Sequence, residues 1–229
     1  MLNKFLKQDT KLLAKVQEEI NFEIKRRNFR FDHEVFNVRH LTECPRRILY
    51  RANATVSETA PDFLEDNRLQ YTKNKWVDLF SHFKKISILD RKVLAVDANY
   101  NIAGTVDAVF KYEDSVSTLL VDSLKTKEYL KAKSSGGLRK QIVELMVLTC
   151  IVEVENGVLL CENCDTNEYF LSHVILHHPI LEGIQSKCKL LLEQKILHIT
   201  PARPYDSNDG LECTVCEYRE ACWKPKQGD

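Results

Sequence analysis

The chain has 229 residues, 44% of them hydrophobic, which is enough to build a sizeable buried core. Thirty-three basic residues balance thirty-three acidic ones, so bulk positive charge is excluded as a means of holding nucleic acid, although a local basic groove is not. No apolar run approaches the length that spans a bilayer, and the charge-interleaved N-terminus is unlike a secretory signal, so the expected compartment is the cytoplasm. In that reducing setting eight cysteines read as metal ligands or buried thiols rather than disulfides.

Residues 1–27 are expected to form a helix, with Phe5, Leu6, Leu12, Leu13, Val16 and Ile20 at helical spacing. A short strand fits 35–39. Thr42 suits an N-cap and Pro45 the first turn of a helix running through Tyr50. Residues 53–62 read as a loop, and 66–84 as an amphipathic helix with Leu69, Trp76, Leu79, Phe80 and Phe83 on its apolar side. The period then changes: 92–96, 102–110 and 117–123 are β-prone runs separated by turn chemistry, a meander. A loop at 134–137 precedes a core helix over 138–155, a hairpin over 157–164 and 169–175, and an amphipathic helix over 180–197. This order predicts an α/β fold with a central mixed sheet flanked by helices. We read residues 1–229 as one unit, with a helical extension (1–35), an α/β core (36–200) and a cysteine-rich segment (201–229).

Four cysteines stand out. Cys213, Cys216 and Cys222 form a C-x2-C-x5-C group, and Cys44 precedes Pro45, Arg46 and Arg47 near the other end of the chain. Thiolates are soft ligands, so by residue type the set fits either a [4Fe–4S] cluster or structural zinc. Tyr218 and Trp223 are placed to shield such a site. A separate set carries oxygen chemistry: Asp107 in Gly104-Thr105-Val106-Asp107, then Asp122 and Lys125 in Val121-Asp122-Ser123-Leu124-Lys125. Two carboxylates and a cation on neighbouring strands are the types that hold Mg²⁺ or Mn²⁺ for phosphodiester hydrolysis; the plainer alternative is ordinary charge at strand ends.

The stretch Cys44-Pro45-Arg46 with the late C-x2-C-x5-C resembles the iron–sulfur branch of the RecB-like nucleases of the PD-(D/E)xK superfamily. That branch includes the CRISPR-associated RecB-like exonucleases and AddB-type domains. The resemblance covers roughly residues 36–223 and implies a restriction-endonuclease-like core. It also implies that Cys44 joins Cys213, Cys216 and Cys222 on one [4Fe–4S] cluster stapling the two ends together. It further implies a Mg²⁺- or Mn²⁺-dependent DNA exonuclease acting on single-stranded ends, with Asp107 and Asp122 as metal ligands, Lys125 beside the phosphate, and Gln141 of Gln141-Ile142-Val143-Glu144 orienting groups at the centre. Recombination, replication or CRISPR adaptation proteins are the implied partners, in a bacterial or phage setting.

Two departures qualify the match. The family places its second acid two residues before the lysine, on the same strand face. Here that position is Ser123, so a β-bulge is required to bring Asp122 and Lys125 together. The histidine usual in the preceding helix has only His82 as its counterpart. The alternative reading is therefore a DNA-binding or structural protein that keeps the stapled fold with weakened or lost catalysis. Cys161 and Cys164, a second C-x2-C near His173, His177 and His178, are expected to be hairpin thiols rather than half a zinc site. Cys150 and Cys188 are expected in the core. Lys127, Lys131, Lys133, Arg139 and Lys140 near the proposed centre, with Arg46 and Arg47, are candidates for phosphate contact.

Overall fold

The computed structural model describes residues 35–53, 63–207 and 210–223. The expected helix over 1–27 and most of the loop over 53–62 lie outside the described residues. Strand β1 (Phe36–Asn37) runs through a 3-10 turn (Val38–His40) into helix α1 (Pro45–Ala52). Pro45 does open the helix, but its N-cap is Cys44 and not Thr42. The chain is still turning at residue 43, where Glu43 N–H donates to His40 O at 2.9 Å, so the helix starts later than the side-chain pattern suggests.

Helix α2 (Phe63–Ser81) precedes a meander of β2 (Ile86–Asp97), β3 (Ile102–Tyr112) and β4 (Ser115–Leu124). Strand β2 begins before the expected residue 92 because a register shift between Ile88 and Asp90 breaks its alternation. Leu79 and Phe83 are exposed and do not join the core stripe of α2. Helix α3 (Thr126–Ser135) occupies a lysine-rich stretch in which the sequence pattern marks no element, and it runs two residues into the expected loop over 134–137. Its buried residues, Tyr129 and Ala132, are three apart on one face, and Gly136 ends it at φ 73°, a left-handed cap that glycine adopts without strain. Helix α4 (Arg139–Ile151), the hairpin β5 (Asn156–Asn163) and β6 (Tyr169–Ile175), and helix α5 (His178–Ile196) follow the expected order. Two short helices, α6 (Leu211–Thr214) and α7 (Arg219–Trp223), carry the late cysteines.

The strands form one mixed sheet in the order β1-β3-β4-β5-β6, with β2 on β3 as well. Strands β4 and β5 are parallel and linked through α3 and α4; β3–β4 and β5–β6 are antiparallel. The core has two parts. The larger lies between the sheet and α1, α3, α4 and α5, and includes Phe36, Leu120, Tyr129, Leu145, Leu159 and Leu191. The smaller lies between the sheet and α2, with Trp76, Val77, Phe80, Phe110, Leu119 and Leu160. Helices therefore cover both faces, as the mixed α/β pattern predicts. Gly104 lets α4 approach closely: a Cβ there would lie 2.8 Å from Leu148 Cδ2 and 3.1 Å from Val38 Cγ2.

Candidate active site

A gap in the sheet creates the site. Strand β2 covers β3 from Ile102 to Tyr112 along one edge. On the other edge β1 pairs only with Ile102 and Ala103, and β4 only with Ala108 to Tyr112. Among the described residues the stretch 104–107 between them has no strand neighbour on that edge. Strand β3 also changes face at this point, since Val106 belongs to the larger core and Ala108, two residues on, to the smaller. Asp107 sits at that change and is buried. Its Oδ2 accepts from Val121 N at 2.7 Å, engaging a β4 donor beyond the end of the β3–β4 ladder.

Asp122 lies near the C-terminal end of β4. Its Oδ1 accepts from Ser123 N at 2.9 Å, and its Oδ2 accepts from Gln141 Nε2. Gln141 is buried in the first turn of α4, where its Oε1 accepts from Leu138 N at 2.9 Å and from the buried Cys161 thiol at 3.8 Å. One amide side chain thus closes the start of α4 and aims at Asp122. Asp107, Asp122 and Gln141, three of the four residues expected at the centre, come from separate elements and meet here.

The fourth, Lys125, is exposed and caps α3. The bulge expected near Ser123 is absent from the β4–β5 pairing, which runs without a shift from Ser117↔Asn156 to Leu124↔Asn163. Asp122 therefore faces α4 with its neighbour Cys161, while Ser123 faces α2 with its neighbour Glu162. Glu162 is buried and accepts from Lys75 Nζ and Trp76 Nε1, a cluster with no counterpart in the sequence reading. His82 is exposed and bonds Asp78 O on its own helix at 2.7 Å.

Two residues of the site went unassigned in the sequence reading. Lys73 of α2 pairs with Asp107, Nζ to Oδ1 at 2.9 Å. A lysine within the stripe Leu69, Trp76, Val77, Phe80 is the signal that marked it. Glu144 stands three residues after Gln141, on the same side of α4. Burial pushes its carboxyl up to about 7; Asp122 and Asp107 push the same way, while Arg39 and Lys73 oppose them. Burial likewise raises Asp107, against Lys73 and the Val121 hydrogen bond. Asp107, Asp122 and Glu144 thus raise one another's cost of ionisation, and Lys73 is the cation that offsets them.

Away from these carboxylates, Cys44, Cys213, Cys216 and Cys222 line one cavity of about 210 Å³. The segments around Cys44 and around Cys213, Cys216 and Cys222 do meet, as the resemblance implies. Tyr218 and Trp223 are in its wall. Polar contacts hold the cavity together. Arg46 donates to Pro201 O at 2.6 Å and to Cys222 Sγ at 3.2 Å, and Lys187 of α5 donates to Leu41 O and Glu43 O at 2.8 and 2.7 Å. Glu217 pairs with both Arg47 and Arg51, which also reach Glu43 at 3.3 and 2.8 Å. Burial would raise Glu43, but the His40 hydrogen bond and the charges of His40, Arg51 and Arg47 hold it down at about 2. Among the described residues no three His, Cys, Asp or Glu side chains converge on a point that holds a single metal ion. All four cysteines are free thiols, which suits iron–sulfur ligation by donor type.

The other cysteines match their expected plain roles. Cys161 is buried in the larger core and Cys164 lies at the hairpin end, 3.6 Å from Asp165 Oδ1, so they do not share a site. Cys188 is buried and Cys150 packs against the same core.

No family model matches the chain, and no curated protein matches it. Solved structures do. The chain is similar to the alkaline exonuclease LHK-Exo from Laribacter hongkongensis, at a TM-score of 0.58 and 8% identity over 76% of this chain and 93% of that one. The complex of LHK-Exo with dAMP gives 0.56 at 9% identity over 73% and 90%. The protein SSO0001 gives 0.54 at 14% identity over 93% and 98%. The α/β core with its flanked mixed sheet is thus a fold shared with an alkaline exonuclease. Among the described residues no helix is long and apolar enough to cross a membrane.

Proposed function

We propose that this chain is a nuclease: a Mg²⁺- or Mn²⁺-dependent DNA exonuclease that hydrolyses phosphodiester bonds at single-stranded ends. The carrying observation is the meeting of Asp107, Asp122 and Gln141 at the gap in the sheet, on a fold shared with an alkaline exonuclease. Asp107 and Asp122 would hold the divalent cation, which when bound polarises the phosphate and acidifies a water. The protein's own part is positional. Val121 N–H fixes one carboxylate and Gln141 the other, so both are oriented before substrate arrives. Lys73 offsets the negative charge of Asp107. Lys125, exposed at the start of α3, would meet a phosphate oxygen from outside. Lys127, Lys131, Lys133, Arg139 and Lys140 are also exposed on α3 and the start of α4, a basic surface for the strand backbone.

Cys44, Cys213, Cys216 and Cys222 would hold a [4Fe–4S] cluster, whose role in this reading is to fasten the C-terminal segment to α1. Cytoplasmic recombination, replication or CRISPR adaptation, in a cell or its phage, is the setting this activity fits.

A second reading has its own observation. Lys73 holds Asp107 in an ion pair, and Lys125 is exposed outside the strand face of Asp122. A DNA-binding protein that has lost catalysis would show the same pairing. Anaerobically prepared protein on end-labelled single-stranded DNA with Mn²⁺ separates the two. The nuclease degrades the DNA and its Asp107→Ala variant does not. Retained binding without cleavage in the parent overturns the first reading in favour of the second.

A further inference from the structure

We propose that Lys73 is a placeholder for the divalent cation: its ammonium holds the one side of Asp107 that a metal can reach and competes with the metal for that carboxylate. This rests on the nuclease reading above and adds a residue to it.

The two oxygens of Asp107 are engaged differently. Oδ2 accepts from Val121 N at 2.7 Å, beyond the end of the β3–β4 ladder, and that bond belongs to the strand framework. Oδ1 meets Lys73 Nζ at 2.9 Å, and a lysine can turn away about the bonds of its four-carbon stem. A divalent ion therefore reaches Asp107 through Oδ1. That oxygen has a second lone pair, but an ion on it would lie within about 4 Å of the ammonium, where two cations repel. Metal and lysine exclude each other there.

Burial explains why a lysine stands here. The side chains of Asp107 and Lys73 keep only 7% and 18% exposure. Thr72, Trp76 and Val77, on either side of Lys73 along α2, are buried as well. A carboxylate so far from water needs a counter-charge. Without metal Lys73 supplies it; a bound divalent ion would supply it instead and leave the lysine surplus. Lys75 gives the contrast. It pairs with buried Glu162, whose strand is joined to β4 and β6 on its two sides in unbroken register. Lys73 meets its acid at the gap, beside β4, where Val121 bonds Asp107 and the next residue is Asp122.

The test measures cation binding and not turnover. Mn²⁺ affinity is read by electron paramagnetic resonance on protein free of DNA, for the parent, Lys73→Met, Lys73→Arg, Lys75→Met and Asp107→Asn, each with its near-ultraviolet circular dichroism compared with the parent. The expected result is binding roughly tenfold tighter or more in Lys73→Met, parent-like affinity in Lys73→Arg and Lys75→Met, and a loss in Asp107→Asn. The parent gives a second readout that needs no variant: reductive methylation of its lysines, followed by mass spectrometry, should label Lys73 severalfold faster in saturating Mn²⁺ than in chelator. In a parent that binds Mn²⁺, parent-like or weaker binding in Lys73→Met, or Lys73 labelling unchanged by the metal, overturns the placeholder and leaves the nuclease reading standing. Equal tightening in Lys75→Met, a plain effect of lost positive charge, overturns it too. Mn²⁺ bound by Lys73→Met and not by the parent upholds the placeholder and overturns the nuclease reading. No binding in either protein overturns both.

Discussion

Replacing Glu144 by Gln should stabilise the metal-free protein at alkaline pH. The carboxyl moves from an ordinary value of 4.5 to about 7 in the folded chain, mainly through burial and then through Asp122 and Asp107. Between those values the folded chain keeps a proton that the unfolded chain has released, so stability falls as pH rises through this window. The full interval corresponds to about 3 kcal/mol at pH 8. An amide removes the charge but keeps part of the desolvation cost, so the expected gain is about 1–2 kcal/mol at pH 8 and well under ~1 kcal/mol at pH 5. For a chain of this size that is a rise of roughly 2–6 °C in midpoint at pH 8. Thermal unfolding of both proteins in chelator at pH 5 and pH 8 measures it. The comparison cancels every other group that titrates in both. Equal midpoint differences at the two pH values, or a variant less stable at pH 8, would refute the electrostatic account of Glu144.

The remaining expectations concern the staple and the sheet. Anaerobically purified protein should be brown with broad absorbance toward the blue, and Cys44→Ala should lose the colour; a colourless parent containing zinc would replace the cluster by zinc. Glu217→Ala removes the largely buried of the two carboxylates that Arg47 and Arg51 share and leaves them Glu43 alone. It should cost about 1–3 kcal/mol in urea unfolding and speed proteolysis near residues 201–223. Glu43 and Glu217 are both held below the ordinary carboxylate value, so their contribution is present above about pH 4.5 and lost as pH falls below it, for Glu43 toward about 2. Gly104→Ala forces a methyl against Leu148 and Val38 and should lower stability by about 1–3 kcal/mol, measured by the same unfolding.

How much of this was legible in the sequence depends on the range of the interaction. The meander, the hairpin and the core helix announce themselves locally through period and turn residues. Helix α3 did not, because only Tyr129 and Ala132 enter the core and its lysines look like a solvated loop. Asp107, Asp122 and Gln141 were picked out through motifs that resemble a family, and the meeting of the cysteine segments through the same resemblance. Lys73 and Glu144 were not assigned, since their meaning arises only when α2 and α4 are laid on opposite faces of the sheet. The strand motif itself misled in one respect. Regular pairing keeps Asp122 toward α4, and α3 begins directly after β4, so Lys125 is at a helix cap and not on the strand beside Asp122.

The central claim is that the gap between β1 and β4 is a cation-dependent nuclease centre. Crystals grown with Mn²⁺ and a mononucleotide, measured at the manganese absorption edge, test it most directly. The account predicts an anomalous peak held by Asp107 and Asp122, with the nucleotide phosphate beside it. No peak at these carboxylates, with Lys73 still paired to Asp107 and the nucleotide bound elsewhere, would contradict it.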